Sequence, residues 1–349
     1  MKQPRIHVIS PTEEVNDRTL DLDLVPTLEL VRLINAEDRT VPGAVAAVLP
    51  RIADLVDVAA ARVADGGRVH YFGAGTSGRL GVLDAAELAP TFGVSDTVVA
   101  HQAGGARAFV TAVEDAEDVV DGTDTGDIRS GDVVIGLAAS GRTPYVGAAL
   151  SAARVLGVPT ALVTSNPAAP LAEFADYVLV ADTGPEALTG STRLKAGSAQ
   201  KLILNTFSTA LMVRLGHTFG NLMVDLQATN AKLRGRSLDV LGQATGVPRA
   251  EAAAALDACG DIKTAVVYLL ARRPDPARPG DGAGTGSATG SETGTDVGSG
   301  TGRGVGPSPE QCRTALADAG GYVRRALTAL AAAPSGRPAP PAPPSADRR

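Results

Sequence analysis

The chain has 349 residues, a net charge of −6 at neutral pH, 3% aromatic residues and no tryptophan. That length can bury a full core and hold two domains. The acidic balance and scarce aromatics disfavour a protein that grips a phosphate backbone or stacks on single-stranded bases, so no nucleic-acid partner is expected.

Cys259 and Cys312 stand in no paired motif, which supports neither a disulfide framework nor a cysteine metal site and points to a reducing cytoplasm. Residues 1–10 (MKQPRIHVIS) lack a basic-then-apolar leader, and no run approaches 18 apolar residues; a cytoplasmic chain with no membrane span is expected.

Residues 1–25 are polar and without period, and helical spacing of apolar residues begins at Pro26–Ile34 and recurs over Val45–Val63. Short apolar runs then alternate with helical stretches. The runs are Arg68–Phe72, Thr97–His101, Asp132–Leu137, Thr160–Thr164 and Tyr177–Ala181; the helical stretches are Arg79–Leu88, Ala106–Val113, Tyr145–Leu156 and Ala196–Leu215. This alternation predicts an α/β fold, a three-layer α/β/α arrangement around a parallel sheet.

Beyond residue 228 the strands stop, and Ser237–Leu241, Arg249–Ala258 and Ile262–Ala271 read as short helices. Residues 274–309 are almost entirely Gly, Thr, Ser, Pro and Asp. Such a segment cannot bury enough apolar surface to offset chain entropy and is expected to be disordered. A helix over Glu310–Ala332 and a Pro-rich tail close the chain. The domain reading is an N-terminal arm and helix over 1–45, an α/β domain over 46–228, a helical domain over 229–332 interrupted by the insert, and a disordered tail over 333–349.

Two loops leave predicted strands and open predicted helices: Gly73-Ala74-Gly75-Thr76-Ser77-Gly78-Arg79 and Ala139-Ser140-Gly141-Arg142-Thr143. At the carboxyl edge of a parallel sheet, small residues let backbone approach a phosphate, while hydroxyls and amides satisfy its oxygens. Ordinary turn chemistry accounts for either loop alone; two on neighbouring strands favour an anion site. The first loop also matches G-x-G-x-x-G, but a dinucleotide fold needs an acidic residue ending the second strand. There the chain has His101-Gln102-Ala103-Gly104-Gly105, with Asp96 at the wrong end. A phosphosugar loop is the better reading, and no cofactor is expected.

Glu87 lies late in the helix after the first loop, and Glu114 and Glu117 are three apart, sharing a face if helical. Carboxyls near one sugar can act as general acid and base when their environments separate their pKa values; a solvated acidic face is the alternative. His7, His70, His101 and His217 show no metal spacing, and His70 reads as a packed core residue. Asn221–Asp225 reads as a helix face or a lid contact. Residues 183–201 (TGPEALTGSTRLKAGSAQK) bring hydroxyls, among them Ser191, and two cations, Arg193 and Lys195, to a helix start. Amides at such a start suit an anionic, hydroxyl-rich ligand.

That 183–201 stretch closely resembles a signature shared by N-acetylmuramic acid 6-phosphate etherases and the glucokinase regulatory protein. Ile34–Asp38 with Val41-Pro42, Gly73–Leu80, Asp84–Glu87, Val113–Asp118, Ala139–Val146 and Phe219–Asp225 are similar to the etherases too. The resemblance runs from about residue 13 to 272 and resumes at 310–330. It implies a sugar isomerase (SIS) domain, a small C-terminal helical, UBA-like domain, a homodimer and a phosphosugar substrate. It also implies cleavage of the lactyl ether of N-acetylmuramic acid 6-phosphate by elimination and then hydration, within cell-wall amino-sugar recycling.

By motif position the resemblance makes Glu87 the acid that protonates departing lactate and Glu117 the second catalytic carboxylate, the carbon-2 base. Thr76, Ser77, Ser140, Arg142, Thr143, Glu114 and Ser191 become substrate-binding residues, with no metal. The family's Asp-Ala-Ser-Glu tetrad is Asp84-Ala85-Ala86-Glu87 here, one hydroxyl short. A noncatalytic phosphosugar sensor like the glucokinase regulatory protein would lack the equivalent of Glu87. An aldose–ketose isomerase is a third class.

Overall fold

The computed structural model describes residues 10–111, 113, 115–118, 120, 125–226, 231–273 and 306–332. The chain forms two compact units, Met1–Thr218 and Phe219–Arg349. The expected disordered insert, up to residue 305, and the tail lie outside the described residues.

The first unit opens with helices α1 (Thr27–Asp38), α2 (Val41–Ala46) and α3 (Leu49–Ala64). Pro50 sits in the first turn of α3, where a missing N–H costs nothing; this is why the single helix read over Val45–Val63 is two. There follow β1 (Val69–Gly73), α4 (Gly75–Phe92), β2 (Val98–Gln102), α5 (Arg107–Val110), β3 (Val133–Leu137), α6 (Pro144–Val155), β4 (Thr160–Thr164), β5 (Tyr177–Val180) and α7 (Lys195–Arg214). All pairings in the five-stranded sheet are parallel, in the order β2-β1-β3-β4-β5.

Strands β1, β3 and β4 are buried throughout, as expected for a parallel sheet covered on both faces. Side-chain alternation sorts the two cores. Tyr71, Ile135, Leu137, Val163 and Leu179 pack with α2, α3, α4 and α7, whereas Phe72, Val134 and Leu162 pack with α6. The first unit is a three-layer α/β/α domain. His70 is fully buried and bonds Asp132 at 3.1 Å and His101 at 2.9 Å, a core residue as expected.

The sheet reverses direction of progress between β1 and β3, which leaves a crevice at the carboxyl ends of those two strands. Both Gly/Ser loops open onto it. A Cβ on Gly78 would lie 2.0 Å from Gln102 Oε1 and 2.5 Å from the Gly73 carbonyl oxygen. The strand-to-helix turn therefore tolerates no side chain there. Gly78→Ala is expected to destabilise the fold by about 1–3 kcal/mol, read from urea unfolding; an unchanged midpoint would contradict this packing.

The second unit contains the short strands β6 (Thr218–Phe219), at its boundary, and β7 (Leu222–Met223), followed by α8 (Ala231–Thr245), α9 (Arg249–Cys259), α10 (Ile262–Ala271), α11 (Pro309–Asp318) and α12 (Val323–Ala332). Asn221–Asp225 is thus not a helix face: it carries the return strand of a two-stranded sheet. Glu310–Ala332 is two helices, broken at Gly320 and Gly321, whose φ values of 63° and 82° are left-handed. Ser308 caps α11 in a reciprocal capping box with Gln311. Cys259 and Cys312 are buried and unbridged in this unit's core. No helix among the described residues is long and apolar enough to cross a membrane.

Candidate active site

Loop 1 (residues 74–78) follows β1 and runs into α4; loop 2 (139–143) follows β3 and runs into α6. Thr76, Ser77, Ser140, Arg142 and Thr143 are all half-buried, accessible yet held. Thr143 precedes α6, and its hydroxyl does not cap that helix. Loop 2 is braced from behind. Asn166 Nδ2 donates to the Ser140 carbonyl at 2.9 Å, Thr164 Oγ1 to the Ala139 carbonyl at 3.0 Å, and the Leu171 amide to the Gly141 carbonyl at 3.1 Å. Gly141 (φ 66°) presses on Ala169, where a Cβ would come within 2.2 Å of its methyl. The first turn of α7 abuts loop 1: Thr76 Cγ2 lies 3.6 Å from where a Cβ on Gly197 would sit.

Five buried polar atoms have no hydrogen-bond partner among the described residues: Gln102 Oε1, Arg142 Nε, Ser165 Oγ, Thr183 Oγ1 and Gln200 Nε2. An unpaired buried polar group is costly, and native folds keep few. These five are not scattered. Gln102 ends β2, Arg142 is in the loop after β3, Ser165 follows β4, Thr183 lies just beyond β5, and Gln200 is in the second turn of α7. All five lie on segments at the carboxyl edge of the sheet or at the start of α7.

The SIS domain model matches residues 106–210, and that of the glucokinase regulatory protein N-terminal SIS domain matches residues 51–154. The N-acetylmuramic acid 6-phosphate etherase of Thermobifida fusca (strain YX) is 55% identical over 267 residues, 75% of this chain and 88% of that protein. That of Serratia proteamaculans (strain 568) is 51% identical, covering 74% and 90%. The chain belongs to the N-acetylmuramic acid 6-phosphate etherase family. A solved phosphoheptose isomerase from Francisella tularensis aligns with a TM-score of 0.42 and 17% identity, over 54% of this chain and all of that one.

Within this etherase-family chain, the two loops and the half-buried Ser191 stand at the carboxyl edge, but the carboxylates stand apart. Glu87 is exposed on α4, ten residues beyond Ser77 and so about 15 Å along the axis. Its neighbour Asp84 is structural: it is buried and accepts hydrogen bonds from Tyr71 OH at 3.1 Å and Ser208 Oγ at 3.0 Å, tying α4 to β1 and α7. Burial pushes the Asp84 carboxyl above its ordinary pKa. Glu117 is exposed on a three-residue 3-10 turn, Ala116–Asp118. Glu114 lies outside the described residues. Asp115, just before that turn, takes a left-handed φ of 60°; aspartate is among the few non-glycine residues that do so readily.

The 183–201 stretch also differs from expectation. The amides that open α7 do not await a ligand. Glu186, fully buried, accepts from the Lys195 and Ala196 amides at 2.8 and 3.0 Å. Lys195 is equally committed: its ammonium is buried and bonds Glu37 Oε2 at 2.7 Å. Glu37 in turn receives Asn16 and two nitrogens of Arg18. The signature therefore anchors the N-terminal arm and holds α7 in place beside loop 1. Sequence reading missed Gln102, Ser165, Thr183 and Gln200. Ser165 and Thr183 stand two residues beyond Val163 and Ala181, both of which join the core under α7; the period of two along each strand was the available signal. Among the described residues no group of His, Cys, Asp and Glu could hold a metal.

Proposed function

We propose that this chain cleaves the D-lactyl ether of N-acetylmuramic acid 6-phosphate, giving N-acetylglucosamine 6-phosphate and D-lactate, in the cytoplasm, as a step of cell-wall amino-sugar recycling. The observation that carries the reading is the 51–55% identity to etherases over about nine-tenths of their length. The SIS-type domain, read over 46–228, binds the phosphosugar; the helical region over 229–332 is the UBA-like companion.

The chemistry needs only carboxylates and a phosphate anchor. In the open-chain sugar the aldehyde acidifies the carbon-2 proton. Glu117 takes that proton, the electron pair forms the carbon 2–carbon 3 double bond, and the carbon 3–oxygen bond breaks. Glu87 protonates the departing lactate oxygen. Water then adds at carbon 3, and carbon 2 regains a proton. The phosphate sits over loops 1 and 2, held by Ser77, Ser140 and Thr143 with Thr76 beside them, and Glu114 and Ser191 contact the sugar.

The 15 Å rise from Ser77 to Glu87 exceeds the reach of one phosphohexose. Glu87 therefore serves the phosphate site of a second copy in a homodimer. Leu83, one turn before Glu87 on the same helix face, is 47% exposed, which suits a face that another copy covers.

Ser77→Ala and Ser140→Ala are expected chiefly to raise KM, each lost hydrogen bond to the charged phosphate being worth about 1.5–3 kcal/mol. Unchanged saturation curves in both variants would place the phosphate elsewhere. The whole reading is tested by incubating the protein with N-acetylmuramic acid 6-phosphate and assaying D-lactate. Binding without lactate release would favour the second reading, a phosphosugar sensor, to which the match with the glucokinase regulatory protein domain points.

A further inference from the structure

The substrate proposed above carries two anions, a phosphate at carbon 6 and the carboxylate of the lactyl group at carbon 3. The two loops offer one concentration of hydroxyls and helix-opening amides, enough for one anion. A second, fixed cationic donor is required if the enzyme is to recognise the lactyl group rather than any hexose phosphate.

Among the described residues, Lys195, Arg79, Arg193 and Arg142 lie in or beside the two loops and the start of α7, and the first three are otherwise placed. Lys195 is buried against Glu37. Arg79 spends its Nε–H on the Phe109 carbonyl at 3.3 Å. Arg193 is exposed. Arg142 differs from all of them. It is half-buried, and its Nε–H is shielded from solvent without a hydrogen-bond partner among the described residues. Its backbone is fixed before it by Asn166 on Ser140 and by the packing of Gly141 on Ala169, and after it by the Thr143 carbonyl, which accepts from the Gly147 amide at 3.1 Å. A guanidinium on so rigid a loop, with an N–H already out of water, is prepared for a planar two-oxygen acceptor. A carboxylate matches that fork and would satisfy the orphaned donor.

Resting on the etherase reading, we propose that Arg142 is the residue that selects the lactyl carboxylate, distinguishing the ether substrate from plain hexosamine 6-phosphates. Loops 1 and 2 hold the phosphate that both classes share; Arg142 holds the group only the substrate has.

The test compares wild type, Arg142→Gln and Arg142→Lys on three ligands: N-acetylmuramic acid 6-phosphate, its lactyl methyl ester, and N-acetylglucosamine 6-phosphate as a competitive inhibitor. D-Lactate release by wild type from the acid establishes the underlying reading, and its absence overturns both. Given that release, Arg142→Gln is expected to raise KM for the acid about 10–100-fold. It should leave the inhibition constant of N-acetylglucosamine 6-phosphate within about twofold, which also reports an intact site. Arg142→Lys should recover only part of the loss, because an ammonium lacks the fork. Wild type should bind the ester about 10–100-fold more weakly than the acid, and Arg142→Gln should bind the two alike. Equal weakening of acid and inhibitor in the variants would make Arg142 a phosphate ligand and overturn the assignment. So would a wild-type enzyme that treats ester and acid alike, a result that needs no variant to fold.

Discussion

Glu87→Gln and Glu117→Gln are each expected to lower kcat by about 10²–10⁴-fold, the usual cost of removing one proton-transfer group. The two losses should differ in kind. Without Glu117 the carbon-2 proton should no longer exchange with solvent deuterium. Without Glu87 some exchange should persist while lactate stays attached, since proton removal precedes departure of the leaving group. Normal exchange in Glu117→Gln would show that another group is the base. Because Glu87 lies about 15 Å along α4 from Ser77, mixing Glu87→Gln with Ser77→Ala subunits should restore a fraction of activity in mixed dimers. No recovery would place both residues in one subunit's site.

The second large effect is on stability. Glu37→Gln leaves the Lys195 ammonium, only 1% exposed, without its counter-charge. Breaking a buried pair from one side costs about 3–5 kcal/mol, and Glu37→Gln with Lys195→Met should recover part of it. The pH dependence follows from the Arg18 guanidinium, which donates to Glu37 and, helped by Lys195 and Asn16 against the opposing effect of burial, holds its carboxyl down to about 2. A depressed carboxylate stabilises the fold fully above its unfolded value of about 4.3, and that contribution is lost as pH falls through about 2. The gap between wild type and Glu37→Gln in urea unfolding should therefore narrow between about pH 4.3 and 2. A gap that stays constant over that window would contradict the role given to Glu37.

The sheet was legible because its strands are covered on both faces: continuous apolar runs such as Val133–Leu137 read as buried parallel strands. The loops were legible because Gly78 and Gly141 leave no room for a side chain. What the sequence hid is pairing across distance. Nothing local in Glu37 or Glu186 announces that one neutralises Lys195 and the other caps α7, since their partners stand 158 and 9 residues away. The signature at 183–201 looked like a ligand corner for that reason, although much of its charge is spent on internal contacts. Likewise Asp115 gave no sign of the left-handed φ it takes just before the turn that carries Glu117. The orphaned atoms of Gln102, Ser165, Thr183 and Gln200 become visible only when three strand ends and the start of α7 are brought together.

The most direct test of the central claim follows oxygen through the reaction. Run in ¹⁸O-labelled water with N-acetylmuramic acid 6-phosphate, elimination and hydration break the bond between carbon 3 and the ether oxygen. The account predicts D-lactate that carries no label and N-acetylglucosamine 6-phosphate labelled at carbon 3. Labelled lactate, or no lactate at all, would contradict it.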